Sequence, residues 1–165
     1  MPIRPILRFP DERLRTRCEP VTRFDSDLTA LAADLADTMR AAPGIGITAA
    51  HIGHLLRLVV IELEGPASSR IYVNPVIEWT STETQRHPEG SVSMPGVTAE
   101  VERPATVRLR FQDLTGAPCV EQADGLLAVC LQHEIDQLDG IFWLDRLSRL
   151  QRDRTVKKYR KLDKD

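Results

Sequence analysis

Hydrophobic positions along this chain recur at two spacings, and each spacing predicts a different kind of element. In DSDLTALAADLADTMRAA (25–42), Leu28, Leu31, Leu35 and Met39 fall three or four residues apart, which predicts an amphipathic helix. Asp25 or Ser26 suits its N-cap, and Pro43-Gly44 its stop. β-Branched and aromatic residues crowd LLRLVVIEL (55–63) and RIYVNPVIEW (70–79), and in TVRLRFQD Val107, Leu109 and Phe111 alternate with polar neighbours. These segments are predicted strands. Short connections such as DLTGAP (113–118) suit hairpins rather than helical crossovers, so the sheet is expected to be mainly antiparallel and the class α+β.

A second helix is predicted from near Asp124 to Gly140, with apolar residues on more than one side, as in a buried helix. Leu127, Leu131 and Leu138 form one stripe; Leu126, Val129, Cys130, His133 and Gln137 form another, at steps of three and four. Facing a cleft, the second stripe makes an apolar wall that ends in polar groups, the usual make-up of a small-ligand pocket. The last segment, RLSRLQRDRTVKKYRKLDKD, holds nine of the 22 basic residues, and Leu147, Leu150, Val156, Tyr159 and Leu162 recur at mainly helical spacing. A C-terminal helix with a basic face is expected, its charge diluted by Asp145, Asp153, Asp163 and Asp165.

Composition narrows the class. The 165 residues, 42% hydrophobic and 28% charged, show no repeat, low-complexity segment or linker, so one domain (1–165) with one core is expected. A net charge of -2 gives no overall field towards nucleic acid or membrane. The start, MPIRPILRFPDERLRTR, lacks the apolar run of a signal peptide and carries acidic residues, and no stretch approaches a membrane span. Three cysteines at unrelated spacings, Cys18, Cys119 and Cys130, argue against a disulfide framework and for a reducing compartment, with the cytoplasm as the default.

Candidate chemistry centres on LQHEIDQLDG (131–140). It begins as the zinc-binding signature His-Glu-x-x-His begins, with His133 and Glu134, but Gln137 stands where the second histidine belongs. Alone, this is no more than a His-Glu pair on an ordinary helix. GIGITAAHIG (44–53) has glycines that permit a tight turn or a close approach to a ligand, and also reads as a helix cap followed by a buried turn. HPEGSVSMPG (87–96) reads as an irregular surface segment, with Pro95-Gly96 suited to a type II turn.

Together, in this order and spacing, the three stretches resemble the three signature motifs of the peptide deformylases, metalloenzymes that remove the formyl group from N-terminal methionine. VNP (73–75), AEVERP (99–104), ADGLLA (123–128) and LDRLSRLQRDR (144–154) extend the likeness over nearly the whole chain. The resemblance implies the deformylase fold: mainly antiparallel sheets around the central HExx(H/Q) helix, with a C-terminal helix. It implies one divalent metal, iron or zinc, held by a cysteine and two histidines. Those positions are Ser91, His133 and Gln137 here, so only His133 survives as a ligand. A serine hydroxyl is neutral at pH 7 and an amide oxygen binds iron or zinc weakly, so the inherited site is expected to be empty and no metal cofactor to be bound.

The resemblance further implies that Glu134 is the general base and that His51 replaces the glutamine that bonds the oxyanion. Val92 follows the metal-cysteine position. Ile45, Leu126, Val129 and Cys130 match the methionine pocket, and Gly46 the edge along which the peptide extends. A protein that binds formyl-Met or Met peptide ends without hydrolysing them is the expectation. The alternative is an active deformylase in which His51 and His133, with Glu134 or Gln137, form a rearranged metal site. The basic C-terminal helix corresponds to the one that docks on the ribosome in bacterial members.

Overall fold

A computed structural model describes residues 3–163. Helix α1 (Ser26–Ala41) starts where the spacing places it, its first turn capped by the Asp25 carboxylate, which accepts from the Leu28 N–H at 3.2 Å. Leu28, Leu31, Leu35 and Met39 are all buried, packed on Ile47, Leu58, Val60 and Val73. The helix ends at Ala41, and the Gly44 N–H turns back to the Met39 carbonyl at 2.8 Å.

The strands are β1 (Gly46–Thr48), β2 (Leu58–Ile61), β3 (Arg70–Thr80), β4 (Thr84–Ser91), β5 (Met94–Pro104), β6 (Thr106–Gln112) and β7 (Pro118–Asp124). Five of them form one antiparallel sheet in the order β1-β2-β3-β6-β7, and β4 and β5 form a separate two-stranded antiparallel ribbon. DLTGAP closes the β6–β7 hairpin, with the Asp113 N–H donating to the Ala117 carbonyl. With α2 (Gly125–Leu138) and α3 (Arg149–Asp163) the architecture is α+β, as the periodicity predicts.

The ribbon corrects the reading of HPEGSVSMPG as irregular. The chain reverses at Val92-Ser93, between the paired Ser91 and Met94, and Pro95-Gly96 lies inside β5 rather than forming the turn. The reason is chemical. Two of the buried positions that mark the ribbon's inner face are Glu89 and Arg103, which pair with each other, so the expected apolar alternation is interrupted by charges.

α2 is buried from Ala128 to Leu138. Leu131, Ile135 and Leu138 pack on Val59, Ile61, Val107 and Leu109 of the five-stranded sheet. α3 packs through Val156 and Tyr159 on Phe9, Phe142, Met94 and Val97. The predicted α3 stripe is only half realised. Leu150 and Leu162 are exposed, at 61% and 48%, and Leu147 is buried but precedes the helix. The three cysteines are free. Among the described residues, no helix is long and apolar enough to cross a membrane.

The end of α2 is fixed from outside. Gly140 has φ of 77°, and a Cβ there would lie 2.7 Å from the Arg15 carbonyl oxygen, so both conformation and space require glycine. Gly140→Ala is expected to cost more than about 1 kcal/mol in urea denaturation. An unchanged midpoint would contradict the close packing of residues 15–17 against the end of α2.

Candidate functional site

A cleft of about 340 Å³ opens where α2, β1 and the β4–β5 ribbon meet. Val129, Cys130, His133 and Glu134 reach it from α2, and Ser91 and Val92 from the tip of the ribbon. Gly46 and His51 close the side next to β1. Ile45 and Leu126 are 45% and 38% exposed, which places them at the mouth rather than the floor. Gly46 is a steric necessity: a Cβ there would sit 2.6 Å from Glu134 Oε2. β1 can therefore lie directly over the carboxylate only because this residue has no side chain.

His133 is oriented from behind. Its Nδ1 lies 2.8 Å from Glu89 Oε1, and Arg103 grips the same carboxylate with Nε to Oε2 at 2.6 Å and Nη2 to Oε1 at 2.9 Å. Arg103 Nη1 donates to Asp136 Oδ2 at 2.9 Å, and Arg146 completes the chain with two bonds to Asp136. Burial alone would raise Glu89, but the hydrogen bonds from His133 and Arg103 hold its carboxyl down at about 2. An ionised Glu89 fixes the proton on His133 Nδ1 and leaves Nε2 as the ring nitrogen free for the cleft. Burial opposes charge on His133 as well, yet the carboxylates of Glu134 and Glu89 push its pKa up.

Glu134 is only 4% exposed, and no protein group bonds its Oε1. Burial lifts its carboxyl to about 7, against the opposing charge of His133. Cys130 stays a thiol, raised to about 12 by burial first and then by the Glu134 and Glu89 charges. It is no nucleophile at neutral pH.

Three predicted site residues make hydrogen bonds within the protein, and one of them lies outside the cleft. Gln137 Nε2 donates to the Leu14 carbonyl at 2.6 Å, and the side chain is buried outside the cleft. The shared stripe with His133 is thus a shared helix face but not a shared site. Ser91 Oγ accepts from the Ser93 N–H at 3.1 Å within the ribbon turn. His51 Nδ1 lies 2.9 Å from the Thr48 backbone N and 3.0 Å from Thr48 Oγ1. A backbone N–H can only donate, so Nδ1 is the acceptor, the ring proton sits on Nε2, and Nε2 has no lone pair for a metal. Burial and the charge on His133 hold His51 down at about 3, so it is neutral.

Glu89, Arg103, Asp136 and Arg146 were not singled out as site residues from sequence. The available signal was the position of Glu89 immediately before Gly90-Ser91, and the placement of Arg103 two residues beyond Val101 on one strand face.

The titrations carry a sign. With its folded value near 7 against an ordinary 4.5, Glu134 binds its proton more tightly in the folded protein, so its contribution to stability falls as pH rises from about 4.5 to 7. Glu134→Gln is expected to gain stability over the parent across that window, on the order of 2–3 kcal/mol by its end. Parallel pH curves for the two proteins would contradict the buried placement of the carboxyl.

Comparison with known proteins agrees with this geometry. The profile of the Polypeptide deformylase family matches residues 3–153. A Brucella suis protein named "Peptide deformylase-like" is 62% identical over 164 residues, covering 99% of this chain and 100% of that protein. A second Brucella suis protein, named "Peptide deformylase", is 46% identical over 165 residues, covering 98% and 94%. The crystal structure of a peptide deformylase from Legionella pneumophila superposes with a TM-score of 0.94 at 40% identity, covering 99% of this chain and 96% of that one. An α2 that carries His133 and Glu134 into a cleft between two antiparallel sheets is that fold's central feature here, and the chain belongs to the peptide deformylase family.

Proposed function

We propose that this protein binds methionine-type peptide N-termini, formylated or free, without metal-dependent hydrolysis. The family's chemistry runs through a divalent metal, and the donors in this chain do not fit one. The observation that carries the reading is the state of each candidate ligand other than His133: Ser91 Oγ accepts from the Ser93 amide, Gln137 is held through its amide nitrogen on the Leu14 carbonyl outside the cleft, and His51 carries its proton on Nε2. Among the described residues, no three His, Cys, Asp or Glu side chains form a group able to hold a metal ion. One imidazole with two neutral oxygens falls far below the donor set that tight zinc or iron binding needs.

The rearranged site built on His51 and His133 meets the same obstacle. To bind a metal through Nε2, His51 would need its proton on Nδ1, facing the Thr48 N–H. The apolar part of the cleft is in place for a methionine side chain, with Val129 and Cys130 on the wall and Leu126 and Ile45 at the mouth. That Brucella suis holds both a "Peptide deformylase-like" and a "Peptide deformylase" relative supports a division of labour in which this type of chain is spared catalysis.

We place the protein in the cytoplasm, where new N-termini emerge, and α3 offers a contact to ribosomal RNA. Arg152, Lys157, Arg160 and Lys161 line one groove beside Phe9. Co-sedimentation with ribosomes is expected to be lost at low salt in the double variant Arg160→Glu, Lys161→Glu. Retention in that variant would remove the ribosomal contact from the proposal.

The test of binding without turnover is equilibrium titration with formyl-Met-Ala-Ser, alongside formate release by the same sample with added iron, cobalt or zinc. Saturable binding with no formate release above buffer is expected. Val129→Trp, which fills the wall of the cleft, is expected to weaken binding at least tenfold. Formate release in proportion to enzyme would sink the reading.

A further inference from the structure

The five-stranded sheet ends in two edge strands, and they differ in use. β1 lies beside the cleft, where Gly46 runs over Glu134, whereas β7 sits at the far edge with β6 on one side only. In the β6–β7 hairpin the Asp113 N–H donates to the Ala117 carbonyl, and residue pairs that exchange hydrogen bonds alternate with pairs that do not, so Cys119, Glu121 and Ala123 bond to β6. The N–H and C=O groups of Val120 and Gln122 therefore point away from the sheet. Among the described residues, no backbone group outside the hairpin bonds them. Pro118 fits the same phase, since a residue without an N–H stands where the N–H would face outward.

We infer that β7 is a self-pairing edge, on which a second copy of this chain docks its own β7 antiparallel about a two-fold axis at Val120. The inference is independent of the peptide-binding reading. Val120 is 65% exposed, more than any other large hydrophobic residue among those described, and Val76 lies in the same row across the sheet at 48%, with Arg110 between them. Arg110 Nε pairs with Glu78 Oε2 at 3.0 Å, so the charge in that row is met within one copy. A bare edge is normally guarded by a bulge, a covering element or a charge set into the strand. β7 pairs with β6 without a register shift, and Glu121, the charge at its middle, is taken up by Arg70 at 3.1 Å and by the Tyr72 hydroxyl at 2.9 Å.

Charge chooses the register. With the axis at Glu121, the two Glu121 side chains would stand directly opposite each other, which like charges oppose. With the axis at Gln122, Pro118 would face Leu126 of the second copy, a residue already inside α2 and unable to continue a strand. An axis at Val120 sets Val120 against Val120, Cys119 against Glu121 and Pro118 against Gln122, with no like charges opposed. Each Val120 then exchanges both backbone bonds with its counterpart, and each Gln122 N–H meets a Pro118 carbonyl. A net charge of -2 adds little repulsion between the copies. The two-fold closes the edge on itself, and β1, at the opposite end of the sheet, leaves both clefts open.

Sedimentation velocity of the full chain over a concentration series is expected to show a reversible monomer–dimer equilibrium. Val120→Lys sets two ammonium groups opposite each other while sparing the bonds to β6, and is expected to raise the dimer dissociation constant about tenfold or more. Hydrogen exchange followed by NMR at low and high concentration reads the interface in the parent without any variant. The Val120 and Gln122 amides are expected to exchange freely in the monomer and to be protected in the dimer, while those of Cys119, Glu121 and Ala123 are protected in both. A parent that stays monomeric overturns self-pairing, whatever other chain the edge may take. So does a dimer in which the Val120 and Gln122 amides still exchange freely, or one that Val120→Lys leaves intact.

Discussion

Arg103 is the hinge of the structure's energetics. Its guanidinium, 4% exposed, lies between two carboxylates that come from different elements, Glu89 on β4 and Asp136 on α2. A guanidinium taken out of water is tolerable only where its donors are met, and here three of its nitrogens donate to the two acids. Removing one partner from such a network typically costs about 3–5 kcal/mol, because the remaining charge stays buried. The ribbon and the central helix are therefore held in one register by charge, where the five-stranded sheet is held to the same helix by Leu131, Ile135 and Leu138. His133 inherits its orientation from that register, since the carboxylate it meets is the one Arg103 holds.

A frame of this kind separates shape from chemistry. The His133–Glu89 contact, the bare Gly46 and the apolar wall all depend on backbone paths and on packing, and they are in place. At the positions that the resemblance assigns to metal ligands, the Gln137 amide nitrogen donates to the Leu14 carbonyl and the Ser91 hydroxyl accepts from the Ser93 amide.

Much of this was legible in the sequence, for reasons that can be named. α1 and α2 announce themselves by helical spacing, with caps at Asp25 and Gly140. The α+β class follows from alternation in β6 and the short hairpin turn at 113–118. Three features stayed hidden. The β4–β5 ribbon buries Glu89 and Arg103 among its inner-face residues, so a search for alternating apolar residues passes over it. Gln137 stands four residues from His133 on the same helix, but spacing cannot say that its rotamer leads to Leu14. The state of His51 is set by a backbone amide three residues earlier, a contact that exists only once the turn at Ala49–Ile52 has formed.

Direct titration of the full chain with zinc, followed calorimetrically in a weakly coordinating buffer, tests the proposed loss of the metal site most directly. No saturable one-to-one binding is predicted, and no difference between the parent and His51→Ala. One equivalent of tightly bound zinc, lost in His51→Ala or His133→Ala, would contradict the account and return the cleft to metal chemistry.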